Sequence, residues 1–170
     1  MYQYFIDYQK PLDNVCRFIS NVDFLTNITE VSKTNGYCRP TINKIESSYL
    51  KATNLRHPII EKIHDKVKYV PNDIHLGTDN QNGILLYGVN AVGKSSLMKA
   101  VGLNIIMAQA GMFVAAKDFI YKPFSYIFTR ISDNDNIFKG QSSFAVEMSE
   151  LRSILKRSDE NSIVLGCLLY

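Results

Sequence analysis

The sequence of 170 residues lacks the segments that would carry a chain into or across a membrane. Its longest mostly apolar stretch, residues 105–116, is interrupted by Gln109 and Gly111 and is too short to span a bilayer. Met1 is followed by neither a basic segment nor a continuous apolar run, so no secretory signal is visible. We therefore expect an intracellular protein that has no membrane partner.

Cysteine is scarce, and the cysteines present form no recognisable pair. Cys16, Cys38 and Cys167 lie far apart, without a CxxC motif. An odd number of cysteines without a secretory signal favours reduced thiols in an intracellular protein. A disulfide framework is not expected, and neither is a metal site built from these thiols.

Charge of one sign does not dominate the chain either, since 19 basic residues face 16 acidic ones. A composition of 46% hydrophobic and 21% charged residues excludes intrinsic disorder for most of the chain. The basic excess is concentrated in residues 33–70, which carry a net charge of +5. Two interpretations stay open for this segment: a surface that faces nucleic acid or a triphosphate, or a solvated surface.

The first 35 residues predict a helix or a helix pair. Apolar residues recur there at spacings of three and four, and Pro11 suits a first helical turn. Asn35 and Gly36 predict a turn, and Pro40 prevents a helix from continuing. We place a change of organisation at residues 35–41. The apolar face is formed by Leu12, Val15, Ile19 and Val22.

The rest of the chain predicts strands and helices in an α/β order. Residues 42–55 are strand-like, residues 56–60 form a turn, and residues 84–87 and 162–165 are interpreted as buried strands. Residues 97–110 predict a helix packed on nearly all sides. Ser142 or Ser143 can cap a further helix, with Glu147 in its first turn. One face of that helix carries Phe144, Met148, Leu151 and Leu155.

The strongest chemical signal is a glycine loop that satisfies the pattern GxxxxGK[ST]. Glycines let backbone N–H groups converge on phosphates, Lys94 reaches the β and γ oxygens, and the Ser95 hydroxyl ligates Mg²⁺. The loop lies between a predicted strand and a predicted helix, whose positive end favours an anion. The alternative is an ordinary tight turn. The pattern comprises Gly88, Val89, Asn90, Ala91, Val92, Gly93, Lys94 and Ser95.

Motifs on both sides of this loop resemble landmarks of one family. The loop, extended by Ser96, is similar to the phosphate loop of the MutS mismatch-repair ATPases, with Asn90 at the position of their loop asparagine. Segments 36–40, 56–61, 127–131 and 140–148 resemble further landmarks in the family's order. Several ordered landmarks are more specific than one loop, so the chain is identified as a member of this family. The residues of these segments are most similar to the branch of the family found in large DNA viruses.

The resemblance implies an α/β fold, a partial P-loop ATPase domain of the ABC class preceded by a helical N-terminal stub. Residues 1–38 would be the end of a helical lever region, and residues 39–170 the ATPase domain. ATP and Mg²⁺ are the implied cofactors, with Ser95 as a metal ligand. Tyr69 would stack on adenine beside backbone contacts from Val70. Gln141 and Ser142 match the signature that reaches the nucleotide of a second subunit, and Ser142 can also cap a helix.

The same resemblance exposes what is missing. The family places an Asp-Glu pair after the strand at residues 162–165, one acid for Mg²⁺ and one for the attacking water. This sequence has Cys167 and Leu168 there and stops before the family's dimer-contact region. The chain is therefore expected to be inactive alone. It lacks the domains by which the parent would bind mismatched double-stranded DNA, and the parent would act at DNA as a homo- or heterodimer.

Two other functions stay open. One is a nucleotide-binding interaction module that does not hydrolyse ATP, which the missing acids favour for the chain as it stands. The other is a small P-loop kinase, for which only Arg130 and Arg152 offer a beginning of an acceptor site. His57 is interpreted as a structural turn histidine, without a catalytic role. For Tyr69, the alternative to adenine stacking is a core tyrosine.

Overall fold

A computed structural model of the chain describes residues 2–43, 48–63, 68–77, 81–89, 92–130 and 143–167. The elements that position the site are four helices and six strands among these residues. The helices are α1 (Tyr2–Asn35), α2 (Ile60–Ile63), α3 (Lys94–Gln109) and α4 (Ser143–Arg157). The strands are β1 (Thr41–Ile42), β2 (Leu50–Leu55), β3 (Asn72–Leu76), β4 (Asp118–Tyr121), β5 (Tyr126–Arg130) and β6 (Ser162–Gly166).

The N-terminal segment is one long helix, which confirms the predicted helical start. α1 continues through Pro11, so the expectation that Pro11 lies in a first turn is wrong: the helix begins at Tyr2. The face carrying Leu12, Val15, Ile19 and Val22 is exposed rather than packed. Among the described side chains of α1, only Ile28 and Ser32 are buried. Packing on the rest of the described chain therefore holds only the C-terminal part of α1.

A four-stranded sheet forms the larger part of the body. Its strand order is β1-β4-β2-β3, with β1 parallel to β4 and β2 antiparallel to both of its neighbours. β2 alternates buried and exposed residues, which is why residues 50–55 were predictable as a strand. β3 and β4 were not predicted. β3 begins directly after Pro71 with two polar residues, and pairing with β2 rather than local preference makes it a strand.

A second sheet consists of β5 and β6, which pair in parallel from Tyr126–Ser162 to Arg130–Gly166. β6 confirms the predicted strand at residues 162–165, although only one of its faces is buried. α3 packs on this sheet so closely that a Cβ atom on Gly102 would lie 2.8 Å from Cδ1 of Leu165. α3 confirms the predicted helix. It is packed on one side only, since Ile106 is exposed.

The hydrophobic core lies between the four-stranded sheet, α3 and β6. Rings of Phe119 and Tyr121 meet edge to face, with centroids 5.5 Å apart. Side chains from β2, α3, β4 and β6 complete one continuous cluster. Its fully buried members include Leu50, Leu55, Ile105, Val114 and Phe119.

Residues 84–87 are not the buried strand that the sequence predicts. The segment is irregular, and Leu85 and Tyr87 are 86% and 90% exposed. A cavity of about 840 Å³ is lined both by this segment and by β6. β6 pairs with β5 on one edge, and its other edge is unpaired among the described strands. The apolar run shows a preference for burial, but the segment forms no described backbone ladder with that edge.

The start of α4 also differs from expectation. Ser143 is the first residue of the helix, while Ser142, the alternative cap, lies outside the described residues. Glu147 lies beyond the first turn and is 2% exposed, so it does not serve as a solvated charge at the helix N-terminus. Leu155 is 69% exposed, which leaves the predicted apolar face of α4 incompletely covered.

Candidate functional site

The glycine loop leads directly into α3, as the sequence predicts. Gly93, the residue before the helix, has a φ of 97°, a left-handed conformation that glycine adopts at little cost. Its carbonyl accepts the N–H of Leu97 at 2.9 Å, closing the first turn. Gly88 has a φ of 150°, also in the range that favours glycine. Both glycines that the pattern requires therefore have a backbone conformation that favours glycine.

Lys94 is the first residue of α3, and its side chain folds back over the loop. Its Nζ donates hydrogen bonds to the carbonyl oxygens of Gly88 at 2.6 Å and of Val89 at 2.8 Å. The ammonium group therefore lies at the N-terminal end of a 16-residue helix. The positive end of the helix dipole and the lysine charge reinforce each other at this place. Chemically, the arrangement suits an anion.

Ser95 lies next to the end of β6. Its hydroxyl oxygen is 3.9 Å from the thiol sulfur of Cys167. The backbone N–H of Cys167 donates to the carbonyl of Arg130 at 2.8 Å, which fixes this residue as an extension of β6. Two positions that the sequence singled out 72 residues apart are thus brought together. Ser95 offers a hard oxygen ligand, and Cys167 a soft sulfur that is poorly suited to Mg²⁺.

The remaining predicted site residues divide into three groups. Val89 and Val92 are exposed at 75% and 59%, and Ser96 is half-buried in the first turn of α3. Asn90, Ala91, Gln141 and Ser142 lie outside the described residues. Tyr69 and Val70 do not line the cavity beside the glycine loop in the described chain.

Tyr69 belongs to the neighbourhood of Glu61. Burial, and then the negative charge of Glu61, raise the pKa of the Tyr69 hydroxyl. Its side chain is half-buried, whereas Val70 is 75% exposed. Both interpretations of Tyr69, adenine stacking and a core tyrosine, remain as they were.

Two landmark segments that the sequence analysis selected separately are in contact. Arg56 forms an ion pair with Glu61 at 2.8 Å, and Tyr37 donates a hydrogen bond to Glu61 at 3.1 Å. Burial first, and then the charge and hydrogen bond of Glu61, raise the pKa of Tyr37 to about 12. A second arm of the Arg56 guanidinium donates to the carbonyl of Asn35 at 3.0 Å. This cluster joins the end of α1 to the body.

His57 confirms its interpretation as a structural residue. Its Nδ1 atom accepts the backbone N–H groups of Ile59 and Ile60, each at 3.2 Å, and so begins the short helix α2. Burial, followed by the positive charge of Lys99, lowers the pKa of His57. The ring is therefore held in its neutral form, as an acceptor at Nδ1 requires.

Sequence reasoning missed two polar nodes. Asn104, fully buried in α3, donates to the carbonyls of Arg56 and Ala100 and accepts the N–H of Ala115. A single asparagine within an apolar helix is a signal that could have identified it. Arg130 was considered only as part of a motif and, with Arg152, as the beginning of a kinase acceptor site. Its contacts with Glu147 and Glu150 of α4 join residues 17 and 20 positions apart, which no local pattern reveals.

The fold and the match to one family model together define the class of protein. The fold is mixed α/β, with a glycine loop that opens a helix beside a parallel strand pair, and the family model for MutS domain V matches residues 84–166. The chain belongs to the MutS family. Relatives from a virus, a bacterium and a mitochondrion all match, so the family is established and the viral branch stays a prediction.

Three relatives illustrate the match. A putative DNA mismatch repair protein mutS homolog of Acanthamoeba polyphaga mimivirus is 40% identical over 98% of this chain and 18% of its own length. A mitochondrial DNA mismatch repair protein mutS homolog of Sarcophyton glaucum is 42% identical over 69% of this chain and 12% of its own. The DNA mismatch repair protein MutS of Listeria monocytogenes is 37% identical over 94% and 18%. The chain thus spans less than a fifth of these relatives.

Within the described ranges, no helix combines the length and apolar character needed to cross a bilayer.

Proposed function

We propose that the glycine loop binds the phosphates of ATP, and that this chain is the nucleotide-binding part of a MutS-like mismatch-repair protein. The observation that carries the proposal is the placement of Lys94. Its ammonium group is held over the loop by two carbonyl oxygens at the positive end of α3. A triphosphate entering here would offer the lysine stronger, charged acceptors than the carbonyls of Gly88 and Val89.

Mg²⁺ fits this site only in part. Ser95 would supply one oxygen ligand at the start of α3, and phosphate oxygens and water would be the other ligands. Cys167, which follows β6 and lies 3.9 Å from the Ser95 hydroxyl, does not suit a hard cation. When bound, Mg²⁺ would neutralise phosphate charge. The chain's own part is to orient that charge through Ser95 and Lys94.

The same thiol supports binding without turnover. Hydrolysis needs an acidic ligand and a group that positions water, and at the first of these positions stands Cys167. A nucleotide-binding module that does not hydrolyse ATP is therefore the form of the proposal that fits this chain. A small kinase is disfavoured, because Arg130 is already engaged by Glu147 and Glu150.

The role in a longer parent is also a proposal. Residues 1–38 would belong to a helical lever region and residues 39–170 to the ATPase domain. The relatives' names describe DNA mismatch repair proteins, and this supports a parent that couples mismatched DNA binding to ATP binding and hydrolysis. Such a parent would act as a homo- or heterodimer, in which Gln141 and Ser142 face the nucleotide of the other subunit.

Titration with a fluorescent ATP analogue tests the proposal. Lys94→Ala removes the main side-chain cation and should weaken binding by roughly 2–4 kcal/mol, or about 30- to 1000-fold. Lys99→Ala, one turn further along α3, removes the same charge from an exposed position and should bind like the parent chain. Equal affinity of the Lys94→Ala variant and the parent would refute a phosphate site in this loop.

A further inference from the structure

The side chain of Arg130 joins three elements at the end of β5. Its Nη1 donates to the carbonyl of Cys167 at 2.8 Å, its Nη2 lies 2.9 Å from Glu147, and its Nε lies 2.9 Å from Glu150. The guanidinium is only 10% exposed. One planar group therefore contacts both the residue that faces Ser95 and the helix α4.

The contact between Arg130 and Glu147 compensates a buried negative charge. Glu147 is 2% exposed, and neither of its carboxylate oxygens has an aligned hydrogen bond within the described chain. The 2.9 Å approach of Arg130 is thus a close charge contact, and it is what compensates the buried carboxylate. Glu150, by contrast, is 52% exposed and contributes little to holding the arginine.

We propose that Arg130 is a positioning residue that couples the Ser95–Cys167 end of the site to the orientation of α4. The inference rests on the proposed function, since it takes ATP and Mg²⁺ as the ligands at Ser95. In this coupling, a shift at the Ser95–Cys167 contact would move the carbonyl of Cys167, the carbonyl would move the guanidinium, and the guanidinium would move α4 through Glu147. A guanidinium has donors in a fixed plane, so it transmits this displacement where a lysine would rotate freely.

The consequence concerns α4 itself. Through Arg130, the orientation of this helix would depend on the ligand at the Ser95–Cys167 end of the site. This coupling is a role beyond that of a stabilising ion pair.

Hydrogen exchange with and without ATP and Mg²⁺ tests the coupling. In the parent chain, we expect slower exchange both in the first turn of α3 and in residues 145–157 of α4, by roughly fivefold or more. The double variant Arg130→Met with Glu147→Met removes the coupling group without leaving a buried charge. It should keep ATP affinity within about threefold and the response of α3, while the response of α4 is lost.

Two further variants separate positioning from packing. Arg130→Lys keeps a charge near Glu147 without the fork that reaches Cys167, and it should also lose the response of α4. Glu150→Gln, at the exposed partner, should retain it. An α4 response that persists in the double variant, or a parent chain in which only α3 responds, overturns the inference. Absence of nucleotide binding in the parent chain overturns the proposed function and this inference together.

Discussion

The hydroxyl of Ser95 and the thiol of Cys167 face each other at 3.9 Å across the start of α3 and the end of β6. A carboxylate at position 167 would therefore stand beside the serine that the proposal makes a Mg²⁺ ligand. Under the proposal, Ser95 offers a ligand that suits Mg²⁺, and the thiol of Cys167 does not. This relationship defines the first prediction.

Cys167→Asp combined with Leu168→Glu should strengthen Mg²⁺-dependent ATP binding. Hard oxygen ligands replace sulfur beside Ser95, and a charged ligand adds about 1.5–3 kcal/mol, or roughly 10- to 150-fold in affinity. ATP titrations in Mg²⁺ and in EDTA measure the effect. Cys16→Asp, the same substitution on exposed α1, should leave the ratio of the two affinities unchanged.

Phosphate release should nevertheless stay near background in that double variant. Ser142 is proposed to act on a nucleotide in a second subunit, so turnover should require a dimer. Turnover should recover only when a dimerising segment is joined to the chain. Robust hydrolysis by the unmodified chain, abolished by Lys94→Ala, would contradict this reasoning.

Acidification should destabilise the protein through His57. Its folded pKa lies below the ordinary value of 6.5, so the unfolded chain binds more protons once the pH falls below that value. The stability contributed by the neutral ring is fully present above pH 6.5 and is lost as the pH falls through the folded pKa. Urea unfolding between about pH 7.5 and pH 5.5 should show a larger loss for the parent chain than for His57→Asn.

Asparagine at position 57 is informative because its side-chain oxygen can still accept N–H groups but does not titrate. His75→Asn, on β3, controls for the loss of one histidine elsewhere. Should His57→Asn follow the same pH dependence as the parent chain, protonation of His57 would not be the cause.

Asn104 should be costly to remove. Asn104→Ala leaves the carbonyl of Arg56 and the N–H of Ala115 without partners in a buried place, which should lower the free energy of unfolding by about 2–4 kcal/mol. Asn27→Ala, on exposed α1, also removes a hydrogen bond to the preceding turn and should change it by less than about 0.5 kcal/mol. Equal effects of the two substitutions in urea unfolding would contradict the assigned role.

The uncovered segment at residues 84–87 should promote association of the isolated chain. Leu85→Ser and Tyr87→Ser replace side chains that are 86% and 90% exposed, so each should change stability by less than about 0.5 kcal/mol. Leu55→Ala, at a fully buried position, should cost about 2–5 kcal/mol. Light scattering at rising concentration should be lower for the two serine variants. A parent chain that stays monomeric at high concentration would contradict the prediction.

The local sequence pattern predicted those helices and strands whose signal is contained within their own segment. Alternation predicts β2, and an apolar run predicts β6. The helices α3 and α4 are likewise predicted from residues within their own segments. β3 is not, because its strand state depends on hydrogen bonds to β2. The prediction for residues 84–87 is wrong for the opposite reason: the apolar preference is present, but the segment forms no ladder with the unpaired edge of β6 in the described chain.

In the site, too, some residues could be predicted from local sequence and others depend on contacts with another segment. Motif spacing located Lys94, Ser95 and Cys167, and the structure places the last two side by side. Spacing could not show that Glu147 turns inward, since burial of a carboxylate depends on a cation from another element, here Arg130. The contact between Arg130 and Glu147 therefore joins two segments that no sequence motif links.

Because α1 is long and mostly exposed, a small tilt at its C-terminal end would move its N-terminal end by a large distance. At 1.5 Å per residue its 34 residues extend about 51 Å, and the carbonyl of Asn35 at its end is held by Arg56. A tilt of about 10° at that end would carry the other end through roughly 9 Å, given this length. Arg56 in turn shares its backbone carbonyl with Asn104 of α3, the helix that the glycine loop begins. A tilt of only about 5° where Arg56 holds Asn35 would therefore appear at the far end of α1 as a movement of roughly 4 Å.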